Sequence, residues 1–363
     1  MKAGAAGPAA TTAQAPDRPS PSGISVVIVT LMVIATLRLG QAVVLPVVIA
    51  VLLTLMLSAP MRWLQKARIP LRIAAALVVF GALGAAIGTV ALLARPAVQW
   101  VESAPETMSK LETRIRRIAQ PLTTLQRSAD RMQRATGPAA ASDAPRTVKL
   151  ATPGIFAQLS LHAIAAIPVV LTIVFLTYFL LASGPLFRRK LARLLPGRIE
   201  LERREHLLGQ IEVATSHFLA TVAVVNAGVG VLTAALLWVI GVPNPFLLGV
   251  IAAVLNFVPY LGPIVTATII AIAALVGVDE PARALIAPAA FLVVHLTETN
   301  FVTPMLLGRH LPVNTVSIFL GLLFFAWMWG IPGAVLAVPL TVCVKLVCDH
   351  VPALAHVGAL LDN

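Results

Sequence analysis

The chain has 363 residues, 58% of them hydrophobic and only 12% charged, with a mean hydropathy of +0.92 and a formal charge of +12. A soluble domain is nearer half apolar and a quarter charged, so this composition excludes the soluble globular classes and specifies an all-α polytopic membrane protein. The basic excess does not indicate a nucleic-acid partner, because the basic residues cluster between apolar runs.

Residues 1–22, rich in Ala, Pro, Thr and Ser, read as a disordered tail. Apolar runs at 24–37, 43–57 and 73–93 supply three transmembrane helices within 23–95. A signal peptide competes for the first run. That run, however, leads through Arg38 straight into the second, with no small-residue cleavage site between them. The loop at 61–72 carries Arg62, Lys66, Arg68 and Arg72 and no acid. An excess of Lys and Arg marks cytoplasmic loops, which places this loop and, two spans earlier, the N-terminus inside.

Residues 96–157 form an extracytoplasmic helical hairpin and linker. The apolar steps Val101, Ala104, Met108, Leu111, Ile115, Ile118, Leu122, Leu125, Ala129 and Met132 alternate between three and four residues, as in a coiled-coil seam. The seam fits either a hairpin packed on itself or an oligomer contact. A fourth transmembrane helix occupies 158–183. The basic amphipathic segment 184–211 follows, on the cytoplasmic side again, and fits an interfacial helix on anionic lipid or a docking element.

The C-terminal transmembrane core, 212–348, brings the count to about eight transmembrane helices and precedes a tail at 349–363. It contains two uncharged stretches, 243–278 and 313–344, each too long for one ordinary crossing; an unbroken helix of that length would run to ~50 Å. Pro259, Gly262 and Pro263 interrupt the first, and Gly330, Pro332 and Gly333 the second. Both open with a Pro/Asn pair and place Leu-Gly early, at Leu248-Gly249 and Leu320-Gly321, which suggests a duplication. Main-chain groups freed by such breaks cannot face lipid, so they must be buried in protein or line a wet cavity. Paired broken helices point to a transporter's substrate site; functionless kinks are the alternative. Trp327 and Trp329 serve as interface anchors or pack beside the second break.

Between the broken segments lies Glu298, with no other charged residue from 285 to 307. An acid inside a span should face a partner or water. His295 falls on its helical face, with Thr297, Asn300 and Pro304 on a neighbouring stripe. This arrangement suits a proton-coupled relay or a contact to substrate; a cap at the membrane edge is the alternative. Asn256, Tyr260 and Asn226 complete the expected pathway. Cys343 and Cys348 are five apart, on different helix faces, and imply neither a disulfide nor a metal site. "HLTET" does not supply a zinc-protease H-E-x-x-H, and neither a G-x-S-x-G elbow nor a Walker A loop occurs. No enzyme activity and no cofactor are expected.

Taken together, "IGVPNPFLLGVIAAVLNFVPYLGPIV", "TETNFVTPMLLGRHLPVNTVSIFLGLLF" and "GIPGAVLAVPL" resemble the autoinducer-2 exporter family of PerM-like permeases. The resemblance implies about eight spans, a bacterial inner-membrane location, homo-oligomers such as pentamers, and export of a small molecule. It implies either autoinducer-2-like solutes or, in some members, sodium or proton antiport. It adds Pro304, Gly308 and Pro339 as motif positions. Two departures, "HFLAT" at 217–221 and "LASG" at 181–184, bear on the substrate. A non-transporting structural membrane protein is the remaining alternative.

Overall fold

The computed structural model describes residues 23–102, 109, 155–194, 201–307 and 313–350. The seam beyond Glu102 (Ser109 apart), residues 195–200 of the basic segment, Gly308, and residues 1–22 and 351–363 lie outside the described residues. The described elements are helical: α1 (Gly23–Leu39), α2 (Gln41–Lys66), α3 (Leu71–Glu102), α4 (Ile155–Ala182), α5 (Gly184–Leu194), α6 (Leu201–Ile240), α7 (Pro245–Leu255), α8 (Leu261–Gly277), α9 (Pro281–Thr297), α10 (Thr303–Leu307) and α11 (Thr315–His350). A π-helical turn, Glu298–Val302, joins α9 to α10. Among the described residues, six helical stretches are long and apolar enough to cross a membrane: Gln41–Lys66, Leu71–Trp100, Ala165–Ala182, Leu201–Ile240, Pro281–Leu307 and Thr315–Asp349. The described residues fall into two compact units, one up to Ala42 and the other from Val43 onward. In the first, α1 is uncharged apart from Arg38 in its last turn.

In the second unit, contacts fix the direction of each helix. Met61, Ala74, Ala75 and Leu181 pack together, so the end of α2, the start of α3 and the end of α4 share the face of the basic 61–72 loop. Ser216 of α6 sits at that face too. Its hydroxyl accepts from Ser58 Oγ (2.7 Å) and from Arg62 (3.0 Å), which joins α2 to α6. The basic segment is thus partly the water-side extension of one 40-residue helix, α6, rather than a separate element. Helix α5 packs on that extension, with Arg188–Glu212 at 3.3 Å and Arg189–Glu205 at 3.4 Å.

From the basic face α6 climbs to Ile240, and the chain turns at Gly241 (φ 86°). Helix α7 then runs back down α6. Gly249 packs on Gly230 and Ala234, so closely that a Cβ on Gly230 would stand 2.7 Å from the Gly249 carbonyl oxygen. Three residues further, Ala252 is fully buried in the core of α6–α9. The chain reverses at residues 256–260 and α8 returns, its last residue Gly277 abutting Pro243. The first broken segment is therefore a re-entrant hairpin whose two ends lie on the face opposite the basic loop. Next, α9, the π turn and α10 descend along α6 until Leu307 packs near Phe218 and Leu219 at the basic face.

Helix α11 is not one rod. Gly330 stands at φ 66°, ψ −140°, and Gly321 packs against Thr341. In a straight helix those two residues would be ~30 Å apart. The second broken segment is a hairpin as well, and it enters from the basic face, where Val313 and Val342 pack with Leu52 of α2. Its first helix is capped: the Asn314 side-chain oxygen accepts the Val316 N–H at 3.0 Å. Asn314→Ala should lower the unfolding free energy by about 1 kcal/mol, read as a lower Tm in detergent with the helix content unchanged.

Candidate functional site

Both hairpin tips use one device. At the first, Tyr260 adopts φ 62°, ψ −53°, and Leu261 N–H donates to the Pro259 carbonyl at 2.6 Å. This is a γ-turn of the rare, strained hand, forced on a bulky residue. Two residues later Gly262 lies against the Leu255 carbonyl, leaving no room for a Cβ. At the second tip, Gly330 takes the left-handed conformation and Gly333 lies against the Phe325 carbonyl in the same way. A positive-φ residue and a glycine flush on the preceding helix's last turn make each reversal. Pro263 is buried behind the first tip, Pro332 is exposed at the second, and Pro339 is buried in the returning half of α11.

The expectation of unpaired main chain at the first interruption is corrected here. The N–H groups of Asn256, Phe257, Val258, Leu261 and Gly262 all donate to carbonyls of residues 252–259. The tight turn satisfies them locally, so the break is a formed structure and not a frayed one. Relieving its strained residue should show: Tyr260→Gly is expected to raise stability by about 1 kcal/mol, the strain released less the entropy glycine loses, measured as a higher Tm.

The tips meet. Val258, of the first, is buried with Leu322 and Ala337, and Phe325, Ala334 and Val335 of the second hairpin pack on that group. Asn256, just before the first reversal, donates from Nδ2 to Asn226 Oδ1 on α6 at 2.8 Å. Asn226 is buried, and its own Nδ2 has no partner. Counting down from the Gly241 turn, Asn226 and His295 each lie 14 residues along their helices, ~21 Å deep.

His295 and Glu298 come together, as expected from their spacing. Nδ1 of His295 stands 3.7 Å from Glu298 Oε2, an ion-pair distance too long for a hydrogen bond. The imidazole stacks on Phe291. Only 13% of the Glu298 side chain is exposed, and its two carboxylate oxygens accept from Thr299 and Thr303 hydroxyls. The π turn makes this cradle: one extra residue per turn brings Thr303, five residues on, over the carboxylate. Glu298 is therefore partnered and largely buried within the apolar 281–307 stretch. Pro304 is half-buried in the turn that follows.

Three expected pathway side chains are not in this cluster. Thr297 and Asn300 are exposed and bond back to their own helix, at Val293 and Leu296 carbonyls (both 2.8 Å). The Tyr260 ring is exposed, its residue serving through its backbone. Trp329 is not an interface anchor: it is buried beside Gly330, against Phe325.

Two residues escaped the sequence reading. Thr36, Thr54, Thr89, Thr172, Thr268, Thr297 and Thr341 each donate to the carbonyl four residues back. Thr233 on α6 and Thr266 on α8 do not; both are 1% exposed and their hydroxyls lack partners. Nothing in a sequence separates such threonines from the ordinary ones.

On the water side, a hollow of about 700 Å³ at the α5–α6 junction is lined by Arg188, Glu202, Glu205, His206 and Gln210. Its solvent-facing pairs contribute little, and it is remote from the buried polar groups.

Residues 24–353 match the model of the AI-2E family of transporters. Among curated proteins, the chain is 28% identical over 190 residues to the AI-2 transport protein TqsA of Escherichia coli (strain K12), covering 51% of this chain and 55% of that one. It is 29% identical over 205 residues to the "Putative transport protein YrrI" of Bacillus subtilis (strain 168), 56% of each chain. The "Putative transport protein YhhT" of Escherichia coli (strain K12) matches at 34% over 133 residues, 36% of this chain and 37% of that one. The aligned stretches span about half the length of the first two relatives.

Proposed function

This chain belongs to the AI-2E family of transporters, and on that premise we propose that it is a secondary transporter exporting a small polar solute of the autoinducer-2 type across the bacterial inner membrane. The single observation that carries the reading is the meeting of two oppositely directed re-entrant hairpins beside Asn226. Such an arrangement provides a thin barrier at mid-membrane that can open to one face by displacement of one hairpin and to the other by displacement of the second. The Asn226–Asn256 pair offers a free amide donor to a hydroxyl- or carbonyl-bearing solute at that barrier.

Glu298 and His295 supply the coupling. The Glu298 carboxylate, ringed by two hydroxyls and an imidazole on the π turn, is the group assigned to carry the coupled proton. That pair also favours a second reading, monovalent cation/proton antiport, in which the carboxylate exchanges a proton for sodium. Everted vesicles separate the two. Uptake of labelled furanone that collapses with the pH gradient supports the first reading, and a sodium-induced pH response without furanone uptake supports the second. Neither response, from protein shown to be inserted, overturns both. The +12 chain with its basic face on the N-terminal side of α6 is proposed to lie with that face in the cytoplasm. A homo-oligomer is proposed as well; chemical cross-linking in native membranes tests it.

A further inference from the structure

The four buried side-chain polar atoms without partners among the described residues are Asn226 Nδ2, Thr233 Oγ1, Thr266 Oγ1 and His295 Nδ1. They lie on α6, α8 and α9, three helices of one bundle whose core also includes α7. The contacts already given set their depth. Measured from the turn at Gly241 and Pro243, Thr233 lies ~10 Å down α6, Thr266 ~16 Å down α8, and Asn226 and His295 ~21 Å down α6 and α9. The four groups thus step from one side of the bundle toward Glu298. A helical threonine in this chain ordinarily turns its hydroxyl onto its own helix; these two turn theirs into the core. An unpaired polar group buried in the core is destabilising, so Thr233, Thr266 and Asn226, at successive depths of one bundle, call for a common occupant.

Resting on the reading that Glu298 moves a proton, we infer that Thr233, Thr266 and the Asn226–Asn256 pair hold a file of water molecules that carries protons between the hairpin-1 face and His295–Glu298. The groups suit water. Each hydroxyl both donates and accepts, and the amide pair presents a free N–H; none carries charge, which leaves the relay electrically neutral. In each passage one proton enters at the outer end and every oxygen in the file accepts one proton and passes one on. One proton arrives on the Glu298 carboxylate, with no bond to carbon made or broken. Among the described residues, α7, α8 and α10 carry no titratable group and α6 carries none between His217 and Ile240; the charged residues of the packed helices nearest in sequence are Arg283 of α9 and Arg95 of α3.

The test uses the full chain in proteoliposomes with a trapped pH-sensitive dye, proton entry being driven by a potassium diffusion potential. Thr233→Val and Thr266→Val keep the shape and remove the hydroxyls. The double variant is expected to lose on the order of 10-fold or more of the wild-type proton flux, to keep or raise its Tm, and to be rescued by serine at both positions. If the double variant fails to insert, Thr266→Val against Thr266→Ser carries the same comparison. Wild-type proton flux that the valine variants leave unchanged overturns the file while leaving the transport reading standing. Wild-type chain that transports solute without any proton flux overturns the file together with the coupling reading.

Discussion

Gly262→Ala and Gly333→Ala are each expected to destabilise the protein by at least ~3 kcal/mol and to abolish transport. In both cases the new methyl falls onto a backbone carbonyl oxygen, Leu255 in the first and Phe325 in the second. A carbonyl in the last turn of a helix cannot swing aside as a flexible side chain can, so the hairpin must open to admit the methyl. The consequence reaches the other hairpin because Val258 is packed between them. The comparison that isolates the effect is internal. Gly81, Gly84 and Gly88 of α3 are open to a Cβ, with nothing within 4 Å. Alanine at those positions should stabilise by roughly 0.5–1 kcal/mol each, through the entropy that glycine loses in a helix. Thermal unfolding in detergent, with solute transport measured alongside, reads both sets. Near-wild-type Tm and transport for Gly262→Ala would mean that the first hairpin does not close on Leu255.

Glu298→Gln is expected to lower transport roughly 10- to 100-fold, the loss of a hydrogen-bonded charge worth about 1.5–3 kcal/mol, and to flatten its pH dependence. The amide is nearly isosteric and one of its two heads still accepts from Thr299 or Thr303, so insertion and Tm should change little. What the amide cannot do is take up and release a proton. Glu298→Asp separates charge from reach: it keeps the acid but draws it one methylene away from Thr303, and should retain pH dependence at a reduced rate. Full transport by Glu298→Gln across the pH range would remove the carboxylate from the mechanism.

The sequence makes parts of this architecture readable and hides others for definite reasons. Proline and glycine at 259–263 and 330–333 announce the interruptions because few other residues end a membrane helix there. The lone Glu298 announces itself through the cost of an acid in a span. Whether an interrupted segment spans or returns is not a local property. It is decided by where its end packs, Gly277 on Pro243 and Gly321 on Thr341, 34 and 20 residues apart in sequence. The opposite entry of the two hairpins then follows from the odd number of crossings between them. The π turn is equally silent: residues 298–302 carry no periodic signature that separates them from an α-helical turn. Thr233 and Thr266 are set apart from the threonines that bond back to their own helix by burial and by hydroxyls without partners, neither of which a sequence displays.

The measurement closest to the centre of the account is a distance across the two tips. In a full-length chain with Cys343 and Cys348 replaced by alanine, cysteines at Val258 and Leu322 should be joined by a short bifunctional thiol reagent in native membranes, within a single chain, and transport should stop until the link is reduced. A pair at Gly321 and Thr341, inside one hairpin, reports that the reagent reaches this depth. If that second pair links while Val258 and Leu322 never do, in the presence or absence of a pH gradient, the hairpins do not meet and the barrier described here does not exist.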